Sequence, residues 1–268
     1  MARTRGPWSH LAIVAIIPAR YGSTRLPGKP LSEIHGKPMI QHVHERASLA
    51  RRLDRVVVAT DDERIADAVR AFGGEVLMTS PRHATGTDRL AEAVGSTDAG
   101  VVVNIQGDEP MLDPAWIDGA IAPVLQKRGV EMATISVPLD GPDELLDAAV
   151  VKVVTDLHGD ALFFTRAAIP HVRSEGTLSP RERAAAAVQR GLARRHVGLY
   201  VYTRATLLRL AELPPSPLEE AEGLEQLRAL HHGIRIRVVA LQGTAGVSVD
   251  TAVDLERARR LMDPRAAG

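Results

Sequence analysis

The chain has 268 residues, of which 45% are apolar and 25% charged, enough for a large packed α/β domain and too apolar for a disordered one. Its 33 lysines and arginines balance 33 aspartates and glutamates, which argues against a general nucleic-acid binder. There is no cysteine, so disulfides, thiolate metal sites and cysteine nucleophiles are excluded.

Residues 1–10, MARTRGPWSH, read as a flexible N-terminal extension. Leu11 to Ile17 is apolar, but Pro18 ends it after seven residues. It is too short for a membrane span or a signal-peptide core, so a cytoplasmic protein without a membrane partner is expected. Ala12–Ile17 is the first predicted strand, and it runs into a loop within IIPARYGSTRLPGKPL, Ile16 to Leu31. The loop carries Arg20, Arg25 and Lys29, with Lys37 close behind. Glycines and cations at the carboxyl end of a first strand suit a polyphosphate, because backbone N–H groups and positive charge converge there. It is not a Walker A loop: five residues separate Gly22 from Gly28, and Pro30 stands where that motif needs Ser or Thr.

A helical pattern follows over Met39–Ala50, then a strand at Arg55–Thr60, with Asp61 or Asp62 as cap of a helix to Phe72. Gly73-Gly74 stops that helix before a short strand, Glu75–Met78. Thr87–Val94 reads as helix, and Gly100–Ile105 as a strand buried on both faces. This β-α alternation predicts a doubly wound, mostly parallel sheet. The second half is less regular. Strands are expected at Glu131–Pro138, Val150–Thr155, Ala161–Phe164, His196–Thr203 and Ile234–Leu241. A loop and helix are expected over Pro170–Arg195, and helices over Leu218–His231 and from Ala252.

Three further segments can carry chemistry. NIQGDEP, Asn104 to Pro110, follows the apolar strand directly, which puts Asp108 at the carboxyl edge of the sheet near the basic loop. A carboxylate there can hold a hard divalent cation, and it can equally close a turn before Pro110. SVDT, Ser248 to Thr251, offers Asp250 as a second carboxylate, or Asp250 or Thr251 as the N-cap of the last helix. ATGTDR, Ala84 to Arg89, can approach a base or ribose, and Thr87 can also be a plain N-cap. His42 and His44 are two apart on a helix and do not form a metal pair. No GxSxG, HExxH or GxGxxG occurs, which argues against a serine hydrolase, zinc protease or classical dehydrogenase.

The chain resembles the 3-deoxy-manno-octulosonate cytidylyltransferases (CMP-KDO synthetases). The resemblance runs from about Ile13 to Met262 through IIPARYGSTRLPGKPL, GKPMI, VVVATDDERI, TGTDRLAE, NIQGDEP, VKVV, ALFFTRAAIP, RHVGLY, PSPLEEAEGLEQLR and VDTAVDLE. It implies a glycosyltransferase-A-like nucleotide-diphospho-sugar transferase fold: one domain over 11–268, with a small dimerisation lobe within about 135–205. It implies transfer of CMP from CTP to KDO, with magnesium, giving CMP-KDO and pyrophosphate for lipopolysaccharide synthesis. Homodimers are implied as well.

Carried onto this chain, Arg20, Arg25 and Lys29 would grip the triphosphate, and Arg20, Lys29 and Asp108 would form the catalytic set. Ala19, Arg89 and Gln106 would read cytosine and ribose, and Asp108 and Asp250 would hold the metal. Arg166, His196, Tyr200, Glu225 and Gln226 would shape the acid-sugar pocket, with Arg166 on the carboxylate. Three departures stand out: LLDAAV at Leu145–Val150, His171 after Ile169-Pro170, and Ser248 where a glycine is typical. A glycine there would permit backbone angles that Ser resists, so a shifted Asp250 loop is expected. A cytidylyltransferase for a related acid sugar, or a non-catalytic binder of CTP or sugar, are the alternatives.

Overall fold

The computed structural model describes residues 11–263 apart from Thr24, Ala84, Lys127, Arg128 and Glu175; the extension expected over 1–10 lies outside them. Strand β1 (Ala12–Ala19) leaves the sheet into the basic loop, which ends in a short 3-10 turn at Lys29–Leu31. A tiny hairpin follows, β2 (Glu33–Ile34) with β3 (Lys37–Pro38), and then helix α1 (Met39–Ser48). Next come β4 (Arg55–Thr60), α2 (Glu63–Ala71), β5 (Glu75–Met78), α3 (Gly86–Gly95) and β6 (Ala99–Ile105). The second half comprises α4 (Pro114–Gln126), β7 (Met132–Val137), α5 (Pro142–Leu146), β8 (Lys152–Thr155), β9 (Ala161–Thr165) and α6 (Pro180–Gln189). It closes with β10 (Arg194–Thr203), α7 (Arg204–Glu212), α8 (Pro217–Glu222), α9 (Gln226–His231), β11 (Arg237–Ala240) and α10 (Ala252–Leu261).

Among the described residues, nine strands form one sheet, with its main path in the order β11-β7-β10-β6-β1-β4-β5. Neighbours pair in parallel except β10, which runs antiparallel to both β6 and β7. The centre is parallel because β1 and β6 are almost wholly apolar and must be covered on both faces. One face packs on α1, α2 and α4, and the other on α3 and α7. The chain winds from β1 outward to β5, then returns to place β6 on the other side of β1. That reversal opens a crevice at the carboxyl ends of β1 and β6, where α/β sheets receive ligands.

Residues 139–193 add a satellite apolar cluster of Leu139, Leu145, Val172, Ala184, Ala187 and Ala193. Beside it the hairpin β8–β9 joins the sheet through β10.

Three helices, α4, α5 and α7, lie outside the elements expected from the sequence. In α4, Pro114 occupies a first-turn position that needs no N–H donor, and Pro123 lies within the helix. The single helix expected over Leu218–His231 is two helices, because Gly223 takes a left-handed conformation (φ 63°) that ends α8. The break is braced by a buried ion pair: Arg228 donates to both Glu219 oxygens, at 2.9 and 2.6 Å. Glu219 also closes the capping box of α8 with Ser216. Glu219→Ala leaves a buried guanidinium without its carboxylate, and we expect a stability loss of about 3–5 kcal/mol in urea titrations.

Candidate active site

The basic loop is held by its own backbone. The Tyr21 carbonyl accepts from Ser23 N–H at 2.9 Å and Gly28 N–H at 3.1 Å, closing the turn. Gly28 has φ 69°, and a side chain there would meet the Tyr21 ring at 3.2 Å, so both the angle and the space require glycine. The Arg64 guanidinium stacks on the Tyr21 ring, 3.3 Å from its centroid. Arg20, Arg25 and Lys29 are thereby presented to one cavity of about 450 Å³, which Ala19, Arg89, Gln106, Asp108, Glu225 and Asp250 also line.

Each of these groups arrives from a different element. Asp108 follows β6 directly. Asp250 precedes α10, and Thr251 rather than Asp250 caps that helix, with Asp254 completing the box. The Asp250 side chain is therefore free for the cavity. Ser248 is not in the left-handed region, for His35 is the one non-glycine with positive φ among the described residues. No glycine is needed at 248. Arg89 reaches the cavity from the buried side of α3, held by the Thr79 hydroxyl and by Asp61 at 3.3 Å. Asp61 thus faces Arg89, while Asp62 caps α2. Similarly Thr85, not Thr87, caps α3, and the Thr87 hydroxyl donates instead to Glu225 at 2.6 Å.

Lys29 is the electrostatic centre. Its ammonium lies 2.7 Å from Asp108 Oδ2 and 3.1 Å from Asp250 Oδ1, and Arg25 reaches Asp250 Oδ1 at 3.0 Å. Burial opposes charge on Lys29, but the two carboxylates outweigh it and hold its pKa above the usual lysine range. Two hard oxygen donors drawn to one cation are a fitting pair for magnesium, which takes one or two carboxylates and completes its shell with phosphate oxygens and water. Among the described residues no cluster of three or more His, Asp or Glu competes as a metal site.

A second cavity of about 380 Å³ adjoins the first and shares Gly86, Gln106, Asp108 and Glu225 with it. His196, Tyr200, Glu225 and Gln226 line it, as do Arg195, Glu109 and the segment Ala149–Val151. Arg166 does not line it. Its Nε donates to the Glu222 carbonyl at 2.9 Å and its Nη1 to the Ala148 carbonyl at 3.1 Å.

His196 packs between Phe164 and Tyr200, and its Nε2 lies 2.9 Å from Thr134 Oγ1. That hydroxyl gives its hydrogen to the Leu199 carbonyl at 2.8 Å, so His196 carries its proton on Nε2. Burial pushes the imidazole down to about 3 from 6.5. The unfolded chain therefore binds a proton, between about 6.5 and 3, that the folded chain refuses. Stability should be unaffected by this group above the unfolded value and fall as pH is lowered through that window. Urea midpoints from pH 7 to pH 4 should show a shallower acid decline in His196→Gln than in wild type.

Sequence reasoning passed over two lining residues. Glu109 is hydrogen-bonded to Ser248, and burial with the adjacent Asp108 charge pushes it up to about 8, so it is protonated at neutral pH. Arg195 pairs with Glu144 at 2.5 Å. The GDEP turn put a third carboxyl beside Asp108, but nothing in the sequence marks it as neutral.

The chain matches the family model "Cytidylyltransferase" over residues 14–236. A 3-deoxy-manno-octulosonate cytidylyltransferase of Geobacter metallireducens (strain ATCC 53774 / DSM 7210 / GS-15) is 52% identical over 247 residues, 92% of this chain and 96% of the relative. One from Syntrophotalea carbinolica (strain DSM 2380 / NBRC 103641 / GraBd1) is 53% identical, covering 92% and 97%. Among solved structures, a CMP:2-keto-3-deoxy-manno-octonic acid synthetase complexed with CTP superposes with a TM-score of 0.86 at 41% identity, covering 95% of this chain and 99% of that one. Matched by that family model over most of its length and about half identical to these relatives over more than nine-tenths of both chains, the chain belongs to the 3-deoxy-manno-octulosonate cytidylyltransferase family.

Proposed function

We propose that the chain transfers CMP from CTP to the anomeric hydroxyl of KDO, releasing pyrophosphate and supplying the activated sugar for lipopolysaccharide. The observation that carries this reading is the convergence of Arg20, Arg25, Lys29, Arg89, Asp108 and Asp250 on one cavity that opens into a second. The first has the charge for a triphosphate, and the second has the size and polar lining for a sugar acid.

Both substrates are anions, so the chain must offset their repulsion before they can react. Arg20, Arg25 and Lys29 would neutralise the triphosphate and the departing pyrophosphate. Gln106 and Arg89 would orient the nucleoside, with the Ala19 backbone beside them. Asp108 and Asp250 would hold magnesium, which when bound supplies positive charge at the α-phosphate. His196, Tyr200, Glu225 and Gln226 would fix the sugar so that its hydroxyl oxygen faces the α-phosphorus. The oxygen–phosphorus bond forms as the bond to pyrophosphate breaks, and no covalent enzyme intermediate is needed. Positioning and charge do the catalysis. The Arg166 side chain, held by two carbonyls, would meet a sugar carboxylate only after exchanging those partners.

Among the described residues no helix is long and apolar enough to cross a membrane. A cytoplasmic homodimer completes the reading, checked by sedimentation and fractionation. The test of function is pyrophosphate release from CTP and magnesium with KDO, 8-amino KDO or N-acetylneuraminate. KDO as best acceptor supports the reading. Release with another sugar alone reassigns the substrate, and CTP binding with no release by any acceptor favours a binding protein.

A further inference from the structure

Lys152 is the largest fully buried polar side chain among the described residues, and there no carboxylate forms an ion pair with it, Asp147 and Glu222 acting on it only from a distance. Its ammonium donates instead to three carbonyls: Asp147 at 2.8 Å, Val150 at 2.7 Å and Arg166. Burying a charge without a counter-ion is costly, and a hydrophobic residue of the same length would fill the space. The placement of the three carbonyls gives the lysine a purpose.

Two of them belong to the turn that leads into Ala149, Val150 and Val151, one wall of the second cavity. The next carbonyl in that wall, Val151, accepts from His196 N–H at 2.9 Å. The third belongs to Arg166, at the end of β9. From there the Arg166 side chain reaches the Ala148 carbonyl and the Glu222 carbonyl, while its own N–H donates to Glu222 Oε2 at 2.9 Å. Thr165 Oγ1 holds the other Glu222 oxygen at 2.6 Å. Glu222 immediately precedes Gly223–Gln226, the opposite wall. A continuous run of hydrogen bonds thus leads from one wall, through Lys152 and Arg166, to the other.

We propose that Lys152 is a positioning residue that fixes the spacing of the two walls at the acceptor end of the second cavity. The proposal rests on reading that cavity as the acid-sugar site. Removing the ammonium orphans three carbonyls outside the strands, one of them in the wall at Val150 and the other two, at Asp147 and Arg166, in segments tied to the walls, so the walls should loosen while the sheet stays intact.

The test is Lys152→Met. We expect the acceptor KM to rise about tenfold, with the CTP KM and kcat little changed, the pattern of lost ground-state positioning. Amide hydrogen exchange should quicken at 148–151 and at 223–226 together. Leu207→Ala serves as control, since Leu207 is buried under α7 and does not line the cavity. It should lower stability and leave the acceptor KM unchanged.

An equal rise in acceptor KM in Leu207→Ala, an unchanged acceptor KM in Lys152→Met, or unchanged exchange at either wall would each overturn the proposal. If wild type does not use KDO, the reading of the acceptor fails, and the exchange data alone then decide the role of Lys152. Should Lys152→Met not fold, Glu222→Gln weakens the same path from the opposite wall. It should raise the acceptor KM about threefold without changing that for CTP, and no rise would overturn the proposal.

Discussion

Asp108→Asn should lower kcat by about 10³-fold, roughly 4 kcal/mol of transition-state free energy, with a much smaller change in the KM for CTP. The carboxylate sits where the two cavities meet, 2.7 Å from Lys29. It is a ligand for charge at the reacting phosphate rather than a contact to the base or the sugar, so its removal should tell mainly on the chemical step. The substitution keeps the shape of the side chain and leaves Lys29 its second partner, Asp250. The fold should therefore survive, as circular dichroism and a cooperative melt would verify. Steady-state pyrophosphate release over a CTP series separates the two parameters. A loss confined to KM would show that Asp108 binds nucleotide and does no more.

Lys29→Met should reduce kcat/KM for CTP by about 10²-fold, and it should also change how the protein responds to metal. In wild type one ammonium bridges two carboxylates, with side chains only 17% exposed for Lys29 and 22% for Asp108. Without it Asp108 and Asp250 face each other across a poorly screened gap, helped only by the exposed Arg25. The variant should melt at a lower temperature than wild type in a chelator, and magnesium should raise its melting temperature more than it raises that of wild type. Differential scanning calorimetry with and without magnesium reads this directly. An identical magnesium response in the two proteins would mean that the paired carboxylates are not the metal site.

Much of this was legible before the fold was seen, for identifiable reasons. β1, β4 and β6 announce themselves because buried parallel strands are continuous apolar runs. Asp108 and Arg20 could be placed because each lies within a few residues of such a strand's end, and Arg25 and Lys29 because they share the loop that follows β1. The caps were harder. Thr85 took the role open to Thr87, and of the two candidates Asp250 and Thr251 it was Thr251 that capped α10, since in both places a threonine three residues before an aspartate makes a reciprocal box. The side-chain alliances were not legible at all. That Arg166 clasps Glu222, that Lys152 bears its charge among carbonyls, and that Glu109 holds its proton all depend on burial and three-dimensional placement rather than on residue type. Such partnerships leave no periodic trace.

Glu225, Gln106, Asp108 and Gly86 belong to both cavities at once. A ligand in either space therefore borders groups that the other space also uses, among them the Glu225 carboxylate that Thr87 engages. Thermodynamics makes that influence reciprocal: whatever factor nucleotide imparts to sugar affinity, sugar returns to nucleotide affinity. The two equilibria cannot be tuned separately by evolution at these four positions. Whichever guest arrives first, it alters the seat of the other by the same factor.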